Sequence, residues 1–383
     1  MKTDKKRLVY FLVVNVDRFF LSHRLPLALE AVKRGYDVYL LSADTGKRKE
    51  IEAYGIKFLN VPFQRSGQNV FHEINCVRIL SNYYKKFQPD IIHHVTLKAT
   101  LLGSLAAKRA KISNVINAIS GMGYNFTNGR NGLLQKTIKV VMNIAFKSKY
   151  FYFILQNPDD LRLMKGFNFV PESHYKLIKG SGVDLEEFSF TEAKEKDKIR
   201  ILFPARILYD KGIMELIGAA NSLRDKWEGK IIFILAGDCD KNNKAVIHQL
   251  DLEKLLVPGY IEWIGFRKDI ISQHQQSDIV ILPSYREGLP KSLIEACAIG
   301  RPIITTDVPG CRECVVDGYN GYIVPAKTVE PLAQAIDKLC ASKEERIEMG
   351  RNSRKLAEKE FSIESVVEKT FSIYDETLNR DRK

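Results

Sequence analysis

Ser284-Tyr-Arg-Glu-Gly-Leu-Pro-Lys-Ser-Leu-Ile-Glu-Ala296 is the stretch on which the reading of the chain turns. It follows Ile279-Val-Ile-Leu282, a short β-branched run of the kind that forms a buried strand. Pro290 stands where a helix can begin and Gly300 where one can end, which predicts a helix over Lys291 to Ile299. The segment thus reads as strand, tight loop and helix, with Glu287 in the loop and Glu295 one to two turns into the helix. Backbone N–H groups at such a helix start attract phosphate oxygens. Two carboxylates beside them can accept hydrogen bonds from sugar hydroxyls, so the geometry suits a diphosphate-linked ligand. By spacing alone the pair reads equally well as a loop acid and a helix-surface acid.

The same alternation extends to either side. Predicted strands at Ile199–Phe203, Ile231–Ala236, Ile261–Ile264, Ile303–Thr305 and Tyr322–Val324 are separated by helical patterns at Met214–Trp227, Lys244–Leu255 and Ile270–Gln276, before a helical C-terminus. Toward the N-terminus, strands are predicted at Leu8–Val14, Tyr36–Ser42, Ile56–Val61, Ile91–His94 and Val115–Ala118. Helices are expected at His23–Arg34, Lys47–Tyr54, 71–87 and 98–110, with Asn15–Ser22 as a loop. Strands and helices alternating in this way argue for an α/β chain with doubly wound parallel sheets. The charged run Thr191–Lys198 interrupts the pattern and predicts a linker between a domain over 1–190 and one over 199–365. Residues 366–383 form a last helix, expected to pack back on the first domain.

Ligands in such sheets bind at the carboxyl ends of strands, and four loops there carry chemistry. Pro204–Gly212 presents Arg206 and Lys211, a fork and a point charge complementary to a diphosphate. Gly237-Asp-Cys-Asp240 has the form of a metal-binding D-x-D but lacks a third ligand, and reads as a turn. Gly121-Met-Gly-Tyr-Asn-Phe126 is an incomplete dinucleotide fingerprint, weak evidence for NAD. Gly180-Ser-Gly-Val-Asp184 is a glycine-rich connection that can serve simply as a hinge.

Composition bounds the function. With 45% hydrophobic and 27% charged residues over 383 positions, the chain is that of a globular protein of two domains. No apolar run reaches the ~18 residues of a membrane-spanning helix. The basic start is followed by Asn15, Asp17 and Arg18 rather than a cleavage site, which argues against a signal peptide. Six scattered cysteines, with Cys311 and Cys314 as a lone C-x-x-C, suggest reduced thiols rather than zinc. The net charge of +13 is concentrated in residues 1–190, where 29 basic residues face 15 acidic ones. Between Asp90 and Asp159 there are nine basic residues and no acidic one. Such a field attracts nucleic acid or an anionic membrane. The apolar residues interleaved from Leu133 to Phe153 favour an amphipathic helix at a membrane surface, with a core helix bearing a solvated basic edge as the alternative.

In Arg286-Glu-Gly-Leu-Pro-Lys-Ser-Leu-Ile-Glu-Ala296, with seven residues between Glu287 and Glu295, the chain resembles the retaining glycosyltransferases of family 4. The likeness extends to Phe20-Leu-Ser-His-Arg-Leu-Pro26, His93-His-Val-Thr-Leu-Lys98, Gly180–Asp184 and Gly310-Cys-Arg-Glu313. It implies the GT-B fold, two Rossmann-like domains facing across a cleft, and a hexosyltransferase extending a sugar on undecaprenyl diphosphate for O-antigen, capsule or glycan assembly. The resemblance assigns Arg206 and Lys211 to the departing diphosphate of a UDP-sugar and Glu287 to the donor sugar. It further assigns Glu295 to the ribose, Gly288, Leu289, Lys291 and Ser292 to the donor, and Gly265 and Phe266 to the base. No metal or other cofactor is expected. The acceptor would lie on the N-terminal domain, with Ser22, His23, His94, Lys98, Ser120 and Gly121 as candidates. The transferred sugar is expected to be an N-acetylhexosamine. The enzyme is expected in the cytoplasm, peripheral on the inner face of the cell membrane and without a nucleic-acid partner. Many relatives carry a histidine in the loop after the strand at Val115–Ala118; here it reads Asn117-Ala-Ile-Ser-Gly-Met-Gly123. The rival readings are a nucleotide-sugar epimerase or hydrolase of the same fold and a basic nucleic-acid-binding protein.

Overall fold

The computed structural model describes residues 7–64, 69–122, 133–193, 196–240, 243 and 245–380, with only the backbone of 133–138. Two compact units emerge: residues 1–181 with 364–383, and residues 182–363.

The first unit is built on seven parallel strands: β1 (Val9–Val16), β2 (Asp37–Ala43), β3 (Lys57–Asn60), β4 (Ile91–Val95), β5 (Val115–Ile119), β6 (Tyr152–Leu155) and β7 (Tyr175–Leu177), in the order β3-β2-β1-β4-β5-β6-β7. Side-chain alternation along a strand feeds two cores. From β1, Phe11 and Val13 join one face with Tyr84, Leu102 and Phe153. Tyr10, Leu12 and Val14 join the other, where helix Ile363–Asn379 contributes Val366, Phe371, Ile373 and Tyr374. The end of the chain therefore closes a face of the sheet that its beginning opens.

The second unit has six parallel strands: β8 (Ile199–Phe203), β9 (Ile231–Ala236), β10 (Ile261–Gly265), β11 (Ile279–Leu282), β12 (Ile303–Thr306) and β13 (Gly321–Val324), in the order β10-β9-β8-β11-β12-β13. Its boundary falls ahead of the charged run 191–198. Val183 and Phe188 are buried in this unit's core, Thr191 N–H donates to Ile299 O, and Arg301 grips Thr191. The segment expected as a linker is therefore partly clamped; residues 194 and 195 lie outside the described residues.

Three local expectations differ from the structure. Asn15–Ser22 is not a loop throughout: Asp17–His23 is a helix. Its buried Asp17 carboxylate accepts from Arg18 N, Thr45 N and Thr45 Oγ1 at 2.5–2.7 Å, an acid satisfied at a helix start. Of the helix expected over Lys244–Leu255, the described residues are helical only at Gln249–Glu253, because Val246 is drawn into a bridge with Leu208 and Ala245 O accepts from Tyr209 N. The helix expected over Met214–Trp227 is divided at Leu223. Helix Pro158–Lys165, capped by Asn157, and β7 were not anticipated.

Candidate functional site

In a doubly wound sheet the ligand crevice opens where strand order reverses, outside the carboxyl ends of the two central strands. In the second unit these are β8 and β11, and the loops that follow them carry Arg206 and Lys211, and Glu287. The chain joins these loops directly. Asp210 O accepts from Tyr285 N at 2.9 Å and lies 3.0 Å from Ser284 Oγ. Gly212, at φ +73°, would place any Cβ 2.0 Å from Pro283 O, so only glycine allows this approach. Tyr285 Oη donates to Glu215 Oε1 at 2.7 Å.

On this junction Lys211 Nζ donates to Glu287 Oε1, and Ser284 Oγ lies 2.8 Å from the same oxygen. The lysine and glutamate side chains are only 16% and 14% exposed, so the pair is partly desolvated and screened little by salt. A third loop fixes Glu287 from the other side. Its N–H donates to Pro309 O at 3.1 Å, and Gly310, at φ +85°, sits so close that a Cβ would fall 2.6 Å from the Glu287 and Gly288 carbonyl oxygens. Cys311 and Cys314 are buried beneath this loop, Cys314 Sγ 3.6 Å from Gly310 O.

Arg206 Nη1 pairs with Asp240 Oδ2 at 2.6 Å. The loop after β9 is thereby tied to that after β8, helped by Ile207 N donating to Asp238 O at 3.0 Å. Gly237 would place a Cβ 1.9 Å from Ala205 O. The D-x-D-like segment thus has an observed task, holding the arginine. No cluster of three or more metal-ligating side chains occurs among the described residues.

Helix Lys291–Ile299 begins after Pro290 without a side-chain cap, so its first turn presents backbone N–H groups. Leu289 is buried beneath it, anchoring the turn, while Ser292 lies partly exposed in the helix's first turn. Glu295 is 7% exposed, and burial pushes its carboxyl up to about 7, with Lys291 Nζ, 3.5 Å away, pulling the other way. His274 Nε2 lies 3.8 Å from Glu295 Oε2. Burial holds that imidazole near 3, hence neutral, so the contact is not an ion pair. At the end of β10, Gly265 has open space where a Cβ would be, and Phe266 is 65% exposed, an aromatic face available for stacking.

The acceptor candidates of the first unit are less uniform. Ser22 Oγ and His23 Nδ1 are 2.7 Å apart on helix Asp17–His23, where His23 stacks on Phe19. Lys98 Nζ is bound by Glu73 Oε1 at 2.6 Å and Gln64 O at 2.7 Å. Ser120 Oγ is sealed from solvent with no partner among the described residues, and Gly121 adopts φ +142°; Gly123 lies outside the described residues. His94 is corrected outright as an acceptor contact. It is fully buried, 2.9 Å from Tyr84 Oη and 2.8 Å from Asn117 Oδ1, with its ring filling the space left by Gly103, and burial lowers its imidazole to about 4. Sequence reading missed Ser284 and Asp240 as partners of the charged groups. Ser284 lies within the same 284–296 stretch, but nothing in its spacing points at Glu287.

Residues 184–356 match the family model "Glycosyl transferases group 1", and residues 11–157 match "Glycosyl transferase 4-like". The chain is 26% identical over 382 residues to the N,N'-diacetylbacillosaminyl-diphospho-undecaprenol alpha-1,3-N-acetylgalactosaminyltransferase of Campylobacter jejuni, covering 94% of this chain and 98% of that one. It is 24% identical to the UDP-Gal:alpha-D-GlcNAc-diphosphoundecaprenol alpha-1,3-galactosyltransferase of Escherichia coli, covering 90% of each. A crystal structure of a glycosyltransferase from Rickettsia africae superposes with a TM-score of 0.78 at 20% identity, over 97% of this chain and 99% of that one.

Proposed function

The chain is a glycosyltransferase of the GT-B fold, 4-like in its N-terminal unit and group 1 in its C-terminal unit, and on that premise we propose that it moves a hexose or N-acetylhexosamine from a UDP-sugar to a saccharide carried on undecaprenyl diphosphate, retaining the anomeric configuration. The observation that carries the reading is the Lys211–Glu287 pair at the β8/β11 reversal, with Arg206 beside it on the same loop. The names of both relatives support the rest. Each acts on a sugar linked to diphosphoundecaprenol, each forms an alpha-1,3 bond, and one uses a UDP-sugar. Common UDP-hexoses are alpha-linked, so an alpha product corresponds to retention.

The chemistry follows from charge. The bond between the anomeric carbon and the phosphate oxygen breaks through an oxocarbenium-like state while negative charge builds on the leaving diphosphate. Arg206 and Lys211, already oriented by Asp240 and Glu287, meet that charge without having to be ordered during the reaction. The acceptor hydroxyl oxygen bonds to the anomeric carbon on the face the diphosphate leaves, and its proton passes to the departing phosphate oxygen. Glu287 accepts from donor-sugar hydroxyls, and the ionised form of Glu295 accepts from the two ribose hydroxyls. In this reading Arg206 and Lys211, rather than a metal, carry the diphosphate charge.

Peripheral membrane binding belongs to the same proposal. No helix among the described residues is long and apolar enough to cross a membrane. Exposed Val70, Phe71 and Ile74 on helix Val70–Phe87, and Val140 and Ile144 on helix Leu133–Phe146, support contact with a bilayer surface.

The test is a thermal-shift series with UDP, GDP, ADP and their sugars, with and without EDTA, followed by transfer to a short prenyl-diphosphate saccharide. Ligand at a hundredfold over its Kd stabilises by about 2.7 kcal/mol. A UDP-specific, EDTA-insensitive shift and acceptor-dependent release of UDP are expected. UDP release that does not depend on acceptor would make the enzyme a hydrolase, and no nucleotide response would overturn the donor assignment.

A further inference from the structure

Buried charges in proteins are paired or hydrogen-bonded, because an isolated one is expensive to desolvate. Arg301 in the second unit obeys this rule. It is fully buried, and its guanidinium makes five hydrogen bonds, to His274 O, Gly300 O, Gln275 O, Thr191 O and Thr191 Oγ1. Arg24 in the first unit does not. It is 6% exposed, and its Nε is sealed from solvent without a partner. Among the described residues no carboxylate pairs with it, and its side chain makes no hydrogen bond.

A second orphan lies in the field of this cation. Tyr10 Oη and Tyr374 Oη are 2.8 Å apart, and Tyr374 Oη is 2.6 Å from His93 Nδ1. His93 Nε2 is sealed from solvent with no partner among the described residues. The three groups can be ordered in two ways. If Tyr10 donates to Tyr374 and Tyr374 to Nδ1, every hydroxyl proton is used and the single orphan is an Nε2–H donor. The reverse order strands two groups, the Tyr10 proton and the Nε2 lone pair, so the first is favoured. Burial, with the nearby Arg24 charge adding to it, holds the imidazole well below its ordinary value and so neutral. A guanidinium and an imidazole N–H, both donors and both without acceptors among the described residues, thus lie within electrostatic reach of one another. Arg24 joins helix Asp17–His23, which follows β1, to helix Leu25–Lys33, and His93 lies in the middle of β4; β1 and β4 are the strands where this sheet's order reverses.

We propose that Arg24, with His93 Nε2 as second donor, is the binding site in the N-terminal unit for a phosphoryl group of the lipid-diphosphate acceptor. The inference rests on the acceptor class proposed above. The anion supplies the acceptor atoms that the protein withholds. A planar guanidinium fork suits phosphate oxygens, and an uncompensated charge is kept at a cost in stability because the ligand completes it.

The experiment uses the full chain saturated with UDP, probed separately with inorganic pyrophosphate and farnesyl diphosphate, for wild type, Arg24→Met and Arg24→Lys. Farnesyl diphosphate is expected to raise the Tm of wild type and of Arg24→Lys but not of Arg24→Met, with the UDP shift equal in all three. A pyrophosphate shift of the same pattern identifies the diphosphate alone as sufficient; a shift confined to farnesyl diphosphate assigns part of the recognition to the chain, with the phosphoryl site intact. In the transfer assay, Arg24→Met should raise acceptor KM on the order of thirtyfold, as for loss of one member of a buried charge pair, with donor KM unchanged. Since the charge is uncompensated, Arg24→Met should melt at or above wild type in the absence of ligand. A clear fall in that Tm, or a farnesyl diphosphate response retained in Arg24→Met, overturns the proposal. Should Arg24→Met not fold, Arg24→Gln takes its place, and an unchanged acceptor KM in that variant overturns the proposal. Wild type that binds pyrophosphate through Arg24 yet transfers no sugar to a prenyl-diphosphate saccharide would instead refute the acceptor class and leave the anion site standing.

Discussion

Lys211 and Glu287 are 76 positions apart in sequence and share a proton-mediated contact where the loops after β8 and β11 meet. Each holds the other in place. Removing either leaves a partly buried charge behind, so the single changes do more than delete a contact.

For Lys211→Ala we expect kcat to fall about 10²–10³-fold, the scale for losing one preorganised group that meets developing negative charge. Glu287→Gln should lower kcat as well, and the double variant should lose less than the product of the singles because the two act as a unit. Steady-state kinetics on the three proteins checks this; strict multiplicativity would separate their roles.

Glu295 gives a pH signature. Its folded pKa of about 7 lies above the ordinary 4.5, so between those values the folded state holds the proton more tightly than the unfolded one. Stability is therefore highest below pH 4.5 for this group and falls as pH rises to about 7, by roughly 3 kcal/mol. Glu295→Gln, which cannot ionise, should melt higher than wild type at pH 8 and match it more closely at pH 5. Donor affinity of wild type should rise through pH 7 as the carboxylate forms, and that dependence should vanish in Glu295→Gln. Parallel Tm and titration calorimetry series measure both.

Gly212→Ala tests the loop junction. The new methyl would meet Pro283 O at 2.0 Å at a positive φ, so the two loops must separate, and UDP binding should drop at least tenfold by calorimetry. Gly229→Ala is the control. Its φ of +84° is equally unfavourable but nothing lies within 4 Å, so it should cost only about 1–2 kcal/mol of stability and leave UDP binding intact.

Tyr374→Phe should destabilise the first unit by about 1–3 kcal/mol, because Tyr10 Oη and His93 Nδ1 both lose a buried partner. Chemical denaturation measures it. Deleting residues 364–383, which strips Val366, Phe371 and Ile373 from the same face, should leave that unit unable to fold cooperatively.

Local signals fixed a large part of this protein. The helix Lys291–Ile299 and the strand Ile279–Leu282 have the bounds that Pro290, Gly300 and the β-branched run imply. The alternation of strands and helices was enough for two parallel sheets, since period, capping and breaking depend on neighbours within a few residues. The motif around Glu287 and Glu295 pointed to the family for the same reason. The tertiary structure decided which charges meet. Arg206 finds Asp240 and Lys211 finds Glu287 because β8 lies between β9 and β11, an order no spacing along the chain encodes. It turned His94 inward while its neighbour His93 took the opposite face, and it drew Ala245 and Val246, expected in a helix, into a strap beside Leu208. It also left Arg24 buried without an acid. A sequence gives the residues and their local preferences; whether a charge is desolvated, and what lies opposite it, depends on chain segments far away that only folding brings into contact.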